Sequence, residues 1–332
     1  DTPLVEINNI KKLIKKFNSS KAKATLIAFN TSKPQGYGRL IHNKNNLLEI
    51  IEEINLNNVQ RKITLCNSGI LLVNKKLLFD NLKDIKEHKF KKEKYLPDIF
   101  KIFSKKNIHV NFIEANEDEM LGINTVQDFN KAQKILQKKY VNKFINNGVF
   151  FSKPETCYLS YDTQIEADVV IESNVTIKNN TTIKKGSLIK SNSYIEGAVI
   201  NNFCIIGPSA RIRPKSTIGK NSKVGNFVEI KNSIIGNNAS ISHLSYIGDT
   251  KMGKDVNIGA GTITCNYDGK KKQKTHIEDN VFVGSNTSLV APVIIKSKSI
   301  IGAGSVITRN IPNKSLAIER SDLKILRNKR LK

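Results

Sequence analysis

The chain has 332 residues, of which 39% are hydrophobic and 25% charged, and it carries a net charge of +25. That length leaves room for two domains with an ample core, and no run of about 18 apolar residues offers a transmembrane span. A strong basic balance invites nucleic acid, but Lys far outnumbers Arg, Asn is abundant throughout and no helix-turn-helix or RNA-binding pattern is present; the expectation is no nucleic-acid partner and a surface that attracts phosphorylated small molecules.

The opening stretch DTPLVEINN is no signal peptide, because it lacks a basic segment followed by an apolar one. It also lacks an initiator Met, so the chain is expected to be truncated at its N-terminus. Residues 1–125 alternate helices and strands. Strands are predicted over Thr25–Phe29, Ile63–Leu72 and Val110–Glu114, and helices over Val5–Phe17, Lys76–Lys86 and Asp98–Lys105. Such alternation predicts a mostly parallel sheet covered by helices, an α/β unit of Rossmann-like type. A longer helix follows from Thr125 to about Ile145, with Thr125 as its cap and Gly148 beyond its end; residues 126–150 are read as a linker helix. The four cysteines, Cys66, Cys157, Cys204 and Cys265, are far apart and show no CxxC spacing, which predicts reduced thiols in a cytoplasmic protein and no zinc site.

From residue 151 to 311 the pattern changes. Ile165, Ile171, Ile177, Ile183, Ile189 and Ile195 lie six residues apart, and after a one-residue slip Ile200, Ile206, Ile212, Ile218, Val224 and Ile230 repeat the spacing. Ile235, Ile241 and Ile247 continue it, then Met252, Ile258 and Thr264, and finally Ile277, Val283, Leu289, Ile295, Ile301 and Ile307. A period of six belongs to neither an α-helix nor an alternating strand; it is the hexapeptide signature of a parallel β-helix. Each unit is expected to form a short strand and a turn with only the aliphatic residue inward, three units to a coil, about eight coils in all. Thirteen positions separate Thr264 from Ile277 where six would keep the rhythm, so the segment CNYDGKKKQK is an inserted loop, a place where solenoids often carry function. Pro312 is expected to end the last coil, leaving residues 312–332 as a basic tail.

Off the inward rungs, Arg211, Arg213, Lys231, His243, Tyr246, Asn257, Asn266, Tyr267 and Lys272 occupy successive coils or the inserted loop. Cations and a histidine in one cleft suit an anionic substrate that must lose a proton. The plain alternative for His243 is an exposed coil histidine; Glu229, one coil earlier, is the expected support for its ring.

The strings IGPSARIRP (206–214), VGNFVEIK (224–231), SHLSYIGD (242–249), NIGAGTITCNYDG (257–269), VFVGS (281–285) and LVAPV (289–293) resemble the GlmU family of bifunctional N-acetylglucosamine-1-phosphate uridylyltransferase/glucosamine-1-phosphate N-acetyltransferases. QGYGRL (35–40), the glutamate of IIEE, CNSGI (66–70) and LGINTV (121–126) resemble its uridylyltransferase half, so the resemblance covers nearly the whole chain. It implies a partial uridylyltransferase domain followed by a left-handed parallel β-helix. It implies that His243 is the general base of acetyl transfer and that Arg213, Lys231, Tyr246, Asn257 and Lys272 hold glucosamine-1-phosphate. The co-substrate acetyl-CoA would meet Ala260, Asn266, Tyr267, Ser285, Ala303 and Arg320. On the uridylyl side Gly38, Glu52, Asn67 and Asn124 would contact the UDP-sugar, and Asp1 and Asn124 would bind Mg²⁺. The resemblance also implies a homotrimer with each acetyl-transfer site between neighbouring solenoids, and a role in UDP-N-acetylglucosamine supply for peptidoglycan and lipopolysaccharide.

The chain departs from the family pattern in three places. No Gly-rich nucleotide loop precedes Asp1, Glu53, Ile54 and Asn55 follow Glu52 where the family has His-Lys-Asp, and Pro97 replaces the Thr before the aspartate of KYLPD. The expectation is a chain that acetylates but does not transfer uridylyl groups. The chemistry expected is direct acyl transfer: His243 takes a proton from the substrate ammonium, the amine attacks the thioester carbon, and a backbone amide, Ala260 being the candidate, holds the oxyanion. Cys265 is not expected to be a nucleophile. The alternatives are another hexapeptide acyltransferase and a non-catalytic sugar-nucleotide-binding paralogue.

Overall fold

The computed structural model describes residues 1–87 and 93–325. The chain separates into two compact units, Asp1–Leu136 and Gln137–Lys332. Residues 326–332 of the expected basic tail lie outside the described residues.

In the first unit, helix α1 (Ile7–Ser19) precedes strand β1 (Ala24–Asn30), the hairpin β2 (Arg39–Asn43) and β3 (Asn46–Ile51), strand β4 (Leu65–Val73), helices α2 (Lys75–Leu82) and α3 (Asp98–Lys105), and strand β5 (Val110–Ala115). The sheet order is β3-β2-β4-β1-β5. Only β1 and β5 pair in parallel; β1 with β4, β2 with β3 and β2 with β4 are antiparallel. The expected α/β unit is present, but its sheet is mixed where the alternation of elements predicts a mostly parallel one. β1 is buried at six consecutive positions, which imitates the continuous apolar run of a parallel strand. The β2–β3 hairpin, turning through Lys44 at φ 51°, has no strong alternation to announce it. Helices cover the sheet through Leu13, Ile99, Phe100 and Phe103, all buried.

The long helix α4 (Val126–Asn146) begins on a capping box. Thr125 Oγ1 accepts from Asp128 N at 3.1 Å, and the Asp128 carboxylate accepts from Thr125 N at 2.9 Å. Gly148 follows its end at φ +85°. Within the first unit its Ala132 packs with Leu4 and Leu121; within the second, Val141 and Phe144 join Val149 and Phe151.

The second unit is the solenoid. Among the described residues its coils stack into parallel sheets of ten, nine and eight strands. All the predicted rungs are buried, most of them completely, and all but Thr264 join one apolar column. The expectation that only the aliphatic residue points inward is corrected by the structure. The residue two positions before each rung is also buried, and it is small: Ser187, Ser193, Cys204, Ala210, Ser222, Val228, Ser233, Ala239 and Ser245 among others. The turn brings this position close to the next coil, so a large side chain would not fit. Some of its hydroxyls bond to the neighbouring main chain, as Ser222 Oγ does by donating to Gly236 O at 2.9 Å and accepting from Ala239 N at 3.0 Å, whereas those of Thr163, Thr181, Ser193, Ser216 and Thr275 are buried without a partner.

One residue earlier still, the backbone is left-handed, at Asn174, Asn180, Asn192, Asn221, Asn232, Asn238, Asn280 and Asn286 among others. Asn tolerates that conformation better than most residues, so part of the asparagine richness is structural. The solenoid also runs further than the registers predict. Phe150–Phe151 and Tyr158–Leu159 form strands before Ile165, and Leu316–Ala317 pairs with Ile300–Ile301 after Pro312. Pro312 does not stop the stack, because its neighbours supply the bonds: Lys296 N donates to Ile311 O and Ile300 N to Ser315 O.

Candidate active site

The solenoid has three corners, and residue position relative to the rung decides which corner a side chain occupies. Two residues after a rung of the ten-stranded sheet comes a corner column: Asn226, His243, Ala260, Ser285 and Ala303, stacked on successive coils. The preceding residues Gly225, Gly259, Gly284 and Gly302 cannot carry a side chain. A Cβ on Gly225 would lie 1.9 Å from Ser242 O, and one on Gly284 2.4 Å from Ala303 N. The result is a narrow strip of small residues with His243 at its head and Asn226 behind it.

His243 is exposed, and its Nδ1 donates to Asn226 Oδ1 at 2.6 Å. With Nδ1 carrying the proton, Nε2 presents its lone pair to solvent, the form a general base requires. Glu229 does not support this ring. It lies in the nine-stranded sheet, between Arg211 and Tyr246 in register, and its carboxylate takes Arg213 at 2.8 Å and Arg211 at 3.6 Å. Sequence reasoning misses the true support because it sits 17 residues back, one coil length, in a residue without charge; subtracting one coil from 243 finds it.

The cations gather one corner further on. Lys231 ends its strand opposite Gly248, and its ammonium meets that of Lys272 from the inserted loop, with Arg213 one coil below. Lys272 first, then burial and Arg213, hold Lys231 below the usual lysine value, while Asp249 opposes them. Lys231 and Lys272, with Arg213 one coil below on its Glu229 partner, gather positive charge that attracts an anion. Tyr246 and Asn266 close over Gly248, where a Cβ would lie 2.5 Å from the Tyr246 hydroxyl and 2.8 Å from Asn266 Nδ2. The inserted loop is a small hairpin: Tyr267 and Lys272 bridge, Asp268 caps the turn by accepting from Lys270 N and Lys271 N, and Gln273 N donates to Asn266 O at 2.8 Å.

Of the remaining positions, Asn257 stands on the flat of the ten-stranded sheet, between Ser240 and Phe282, and not in the corner column. Arg320 lies past the last strand, its Cδ 3.8 Å from where a Cβ on Gly304 would be.

In the first unit Gly38, Glu52 and Asn67 converge. A Cβ on Gly38 would lie 3.3 Å from Glu52 Oε1, and Asn67 N donates to Gly38 O at 2.9 Å. The main chain sets Asp1 beside the segment that carries Asn124: Ile123 N donates to the Asp1 carbonyl at 2.9 Å, and Asn124 Nδ2 and that carbonyl lie 3.9 and 4.0 Å from the Gly122 Cβ position. Among the described residues no group of three or more His, Cys, Asp or Glu could hold a metal ion. One carboxylate and one amide oxygen nevertheless suit Mg²⁺, which takes few protein oxygens and completes its shell with water and phosphate. Glu53, in the place of the family's histidine, receives the buried Arg39 at 2.7 Å and Arg61 at 3.1 Å.

The chain matches known proteins along most of its length. Residues 194–268 match the family described as GMPPB C-terminal domain, and residues 274–309 match the bacterial transferase hexapeptide (six repeats). The bifunctional protein GlmU of Bartonella bacilliformis is 41% identical over 97% of this chain and 71% of its own length. The GlmU of Wolbachia pipientis is 42% identical over 96% of this chain and 74% of its own, and that of Rhizobium johnstonii is 53% identical over 89% and 65%. LpxA from Acinetobacter baumannii superposes on 52% of this chain and 71% of that one, at 18% identity and a TM-score of 0.43. With a hexapeptide solenoid that follows a mixed-sheet α/β unit in the chain, and with this identity along nearly its full length, the protein is a member of the GlmU family.

Proposed function

We infer that the chain transfers the acetyl group of acetyl-CoA to the amine of glucosamine-1-phosphate. The observation that carries this reading is the pairing of a histidine oriented through Nδ1 with a separate cluster of three cations, both on consecutive coils of one solenoid. His243 Nε2 takes a proton from the substrate ammonium. The freed amine attacks the thioester carbon to form a C–N bond, and collapse of the tetrahedral intermediate breaks the C–S bond and expels CoA thiolate. The attacking nitrogen loses its second proton to solvent water, and His243 returns the first proton to the thiolate. Arg213, Lys231 and Lys272 grip the sugar phosphate, with Tyr246 and Asn257 beside it. The strip Ala260–Ser285–Ala303, with Asn266, Tyr267 and Arg320, takes the CoA arm, because a side-chain-poor edge admits a long thin ligand against the backbone.

The first unit is read as a portion of a uridylyltransferase that joins UTP and N-acetylglucosamine-1-phosphate. Gly38, Glu52, Asn67 and Asn124 would contact the sugar nucleotide. Asp1 and Asn124 would hold Mg²⁺, which supplies charge for the triphosphate. The functional division proposed is a uridylyltransferase segment at residues 1–125, a linker at 126–150, an acetyl-transfer solenoid at 151–311 and a tail at 312–332. Phe227 and Leu244, exposed at 63% and 60% beside Asn226 and His243 on two successive coils, support assembly into a homotrimer that covers them. No helix among the described residues is long and apolar enough to cross a membrane; the reading places the enzyme in the cytoplasm, supplying UDP-N-acetylglucosamine for peptidoglycan and lipopolysaccharide.

The test is release of CoA thiol with glucosamine-1-phosphate as acceptor. Wild type should turn over, and His243→Ala should lose about two to four orders of magnitude in kcat with a modest change in KM. Activity of the variant within a few-fold of wild type would return His243 to an ordinary surface residue.

A further inference from the structure

At the corner between the nine- and eight-stranded sheets, three polar residues stack on consecutive coils. Asn232, Asp249 and Asn266 each stand two positions after a rung, at Ile230, Ile247 and Thr264. The middle member is a carboxylate, only 9% exposed. Its Oδ1 accepts from Asn232 Nδ2 at 2.5 Å and its Oδ2 from Asn266 Nδ2 at 2.5 Å. A nearly buried charge is costly unless it is well bonded, and this one is held by two amides. Its backbone is left-handed, φ 50°, a conformation Asp tolerates.

Asn266 is also the root of the inserted loop. Its carbonyl accepts from Gln273 N, which closes the loop from the other side, and Tyr267 and Lys272 bridge just beyond it. Main-chain bonds tie the same aspartate to both neighbours: Asp249 N donates to Lys231 O at 3.0 Å and Thr275 N to Asp249 O at 3.3 Å. One residue therefore joins the strand that carries Lys231 to both ends of the loop that carries Lys272.

We propose that Asp249 is the positioning residue of the acetyl-transfer site: clamped between Asn232 and Asn266, it fixes the root of the inserted loop and so holds Lys272 and Tyr267 at the phosphate-binding cations. It touches no substrate. Its charge also opposes, at Lys231, the repulsion from Lys272 and Arg213. This rests on the acetyl-transfer reading only where kinetics are concerned.

The experiment uses the full chain with Asp249→Ala and Asp249→Asn, followed by hydrogen exchange and by steady-state kinetics with glucosamine-1-phosphate varied at saturating acetyl-CoA. In Asp249→Ala, amides of residues 266–273 should exchange at least about tenfold faster, since a charge-assisted bond at the loop root is gone. Strands Ser240–His243 and Ile263–Cys265 should keep their protection. KM for glucosamine-1-phosphate should rise about tenfold, with a smaller change in kcat. Unchanged loop exchange overturns the proposal whatever the activity, and so does a loosened loop with an unchanged KM. If the alanine variant loses protection throughout the solenoid, the isosteric Asp249→Asn decides: it must loosen residues 266–273 alone, and failure to do so overturns the proposal. A wild-type chain that acetylates nothing defeats the functional reading, while the exchange measurement still judges the clamp.

Discussion

Replacing Asn226 by Ala tests how His243 is made a base. The single bond from His243 Nδ1 to Asn226 Oδ1, 2.6 Å long, sets both the ring plane and which nitrogen carries the proton. The ring is otherwise exposed, so no packing would hold it once the amide is gone. A neutral hydrogen bond contributes about 0.5–1.5 kcal/mol net, which corresponds to about two- to thirteenfold in rate. Asn226→Ala should therefore lower kcat by that factor, well short of the ~10²–10⁴ lost with the base itself. Asn226→Asp gives the sign of the electrostatics. A carboxylate in that place stabilises the protonated ring, so a higher pH is needed to free the base, and the acid limb of the kcat/KM profile should move to higher pH. The assay is CoA thiol release across pH for the three proteins. If Asn226→Ala matches wild type and the acid limb of Asn226→Asp stays in place, His243 is not oriented as described.

Arg213→Ala should lose rate with glucosamine-1-phosphate and little with unphosphorylated glucosamine, because charge-assisted contacts read the phosphate; equal losses on both would assign Arg213 to coil structure. The Lys231 ammonium, held below the ordinary lysine value of 10.5 chiefly by Lys272, gives up its proton sooner as pH rises. KM for the phosphorylated sugar should accordingly climb on the alkaline side before 10.5, and Lys272→Ala should push that climb to higher pH. Gly225→Ala puts a methyl 1.9 Å from Ser242 O, so it should displace the Asn226–His243 pair and cost activity out of proportion to its size, read as kcat against melting temperature. Ile247→Ala empties a fully buried rung, at a cost of about 2–5 kcal/mol and roughly 4–20 °C in the melting of the solenoid.

The rungs are legible because one large β-branched residue every six positions has no competing explanation. The small inward column is not, because Ser, Thr, Ala, Val and Cys share a size and no chemistry; only the period, applied to volume, reveals it. The left-handed asparagines pass for a compositional habit in the sequence, although they fall at a fixed place before each rung. In the first unit, apolar runs locate β1 and β4 to within about two residues but leave the direction of their pairing open, since a fully buried strand reads alike in either kind of sheet. The cations and His243 are visible as residue types along the coils. Their grouping at two separate corners is not, because it depends on position relative to the rung. The supports are the hardest to see. Asn226 and Asp249 act one coil away in space and 17 residues away in sequence, and Cys66 and Cys204, whose thiols burial pushes up to about 11, show how little a residue's type says without its surroundings.

A stack in which every coil touches only its two neighbours comes apart from its ends. The proposed phosphate-binding cations, from Arg213 to Lys272, lie in the middle of the pile, whereas Arg320, the proposed contact to the acetyl donor, follows the last described strand, tied down by Glu319 N to Ser305 Oγ and by Val306 N to Glu319 Oε2. Warming should therefore peel the terminal turn first. The enzyme would lose its hold on the acetyl donor while it still gripped the acceptor, and its tolerance to heat would be set by the weakest, outermost turn and not by the strength of the column.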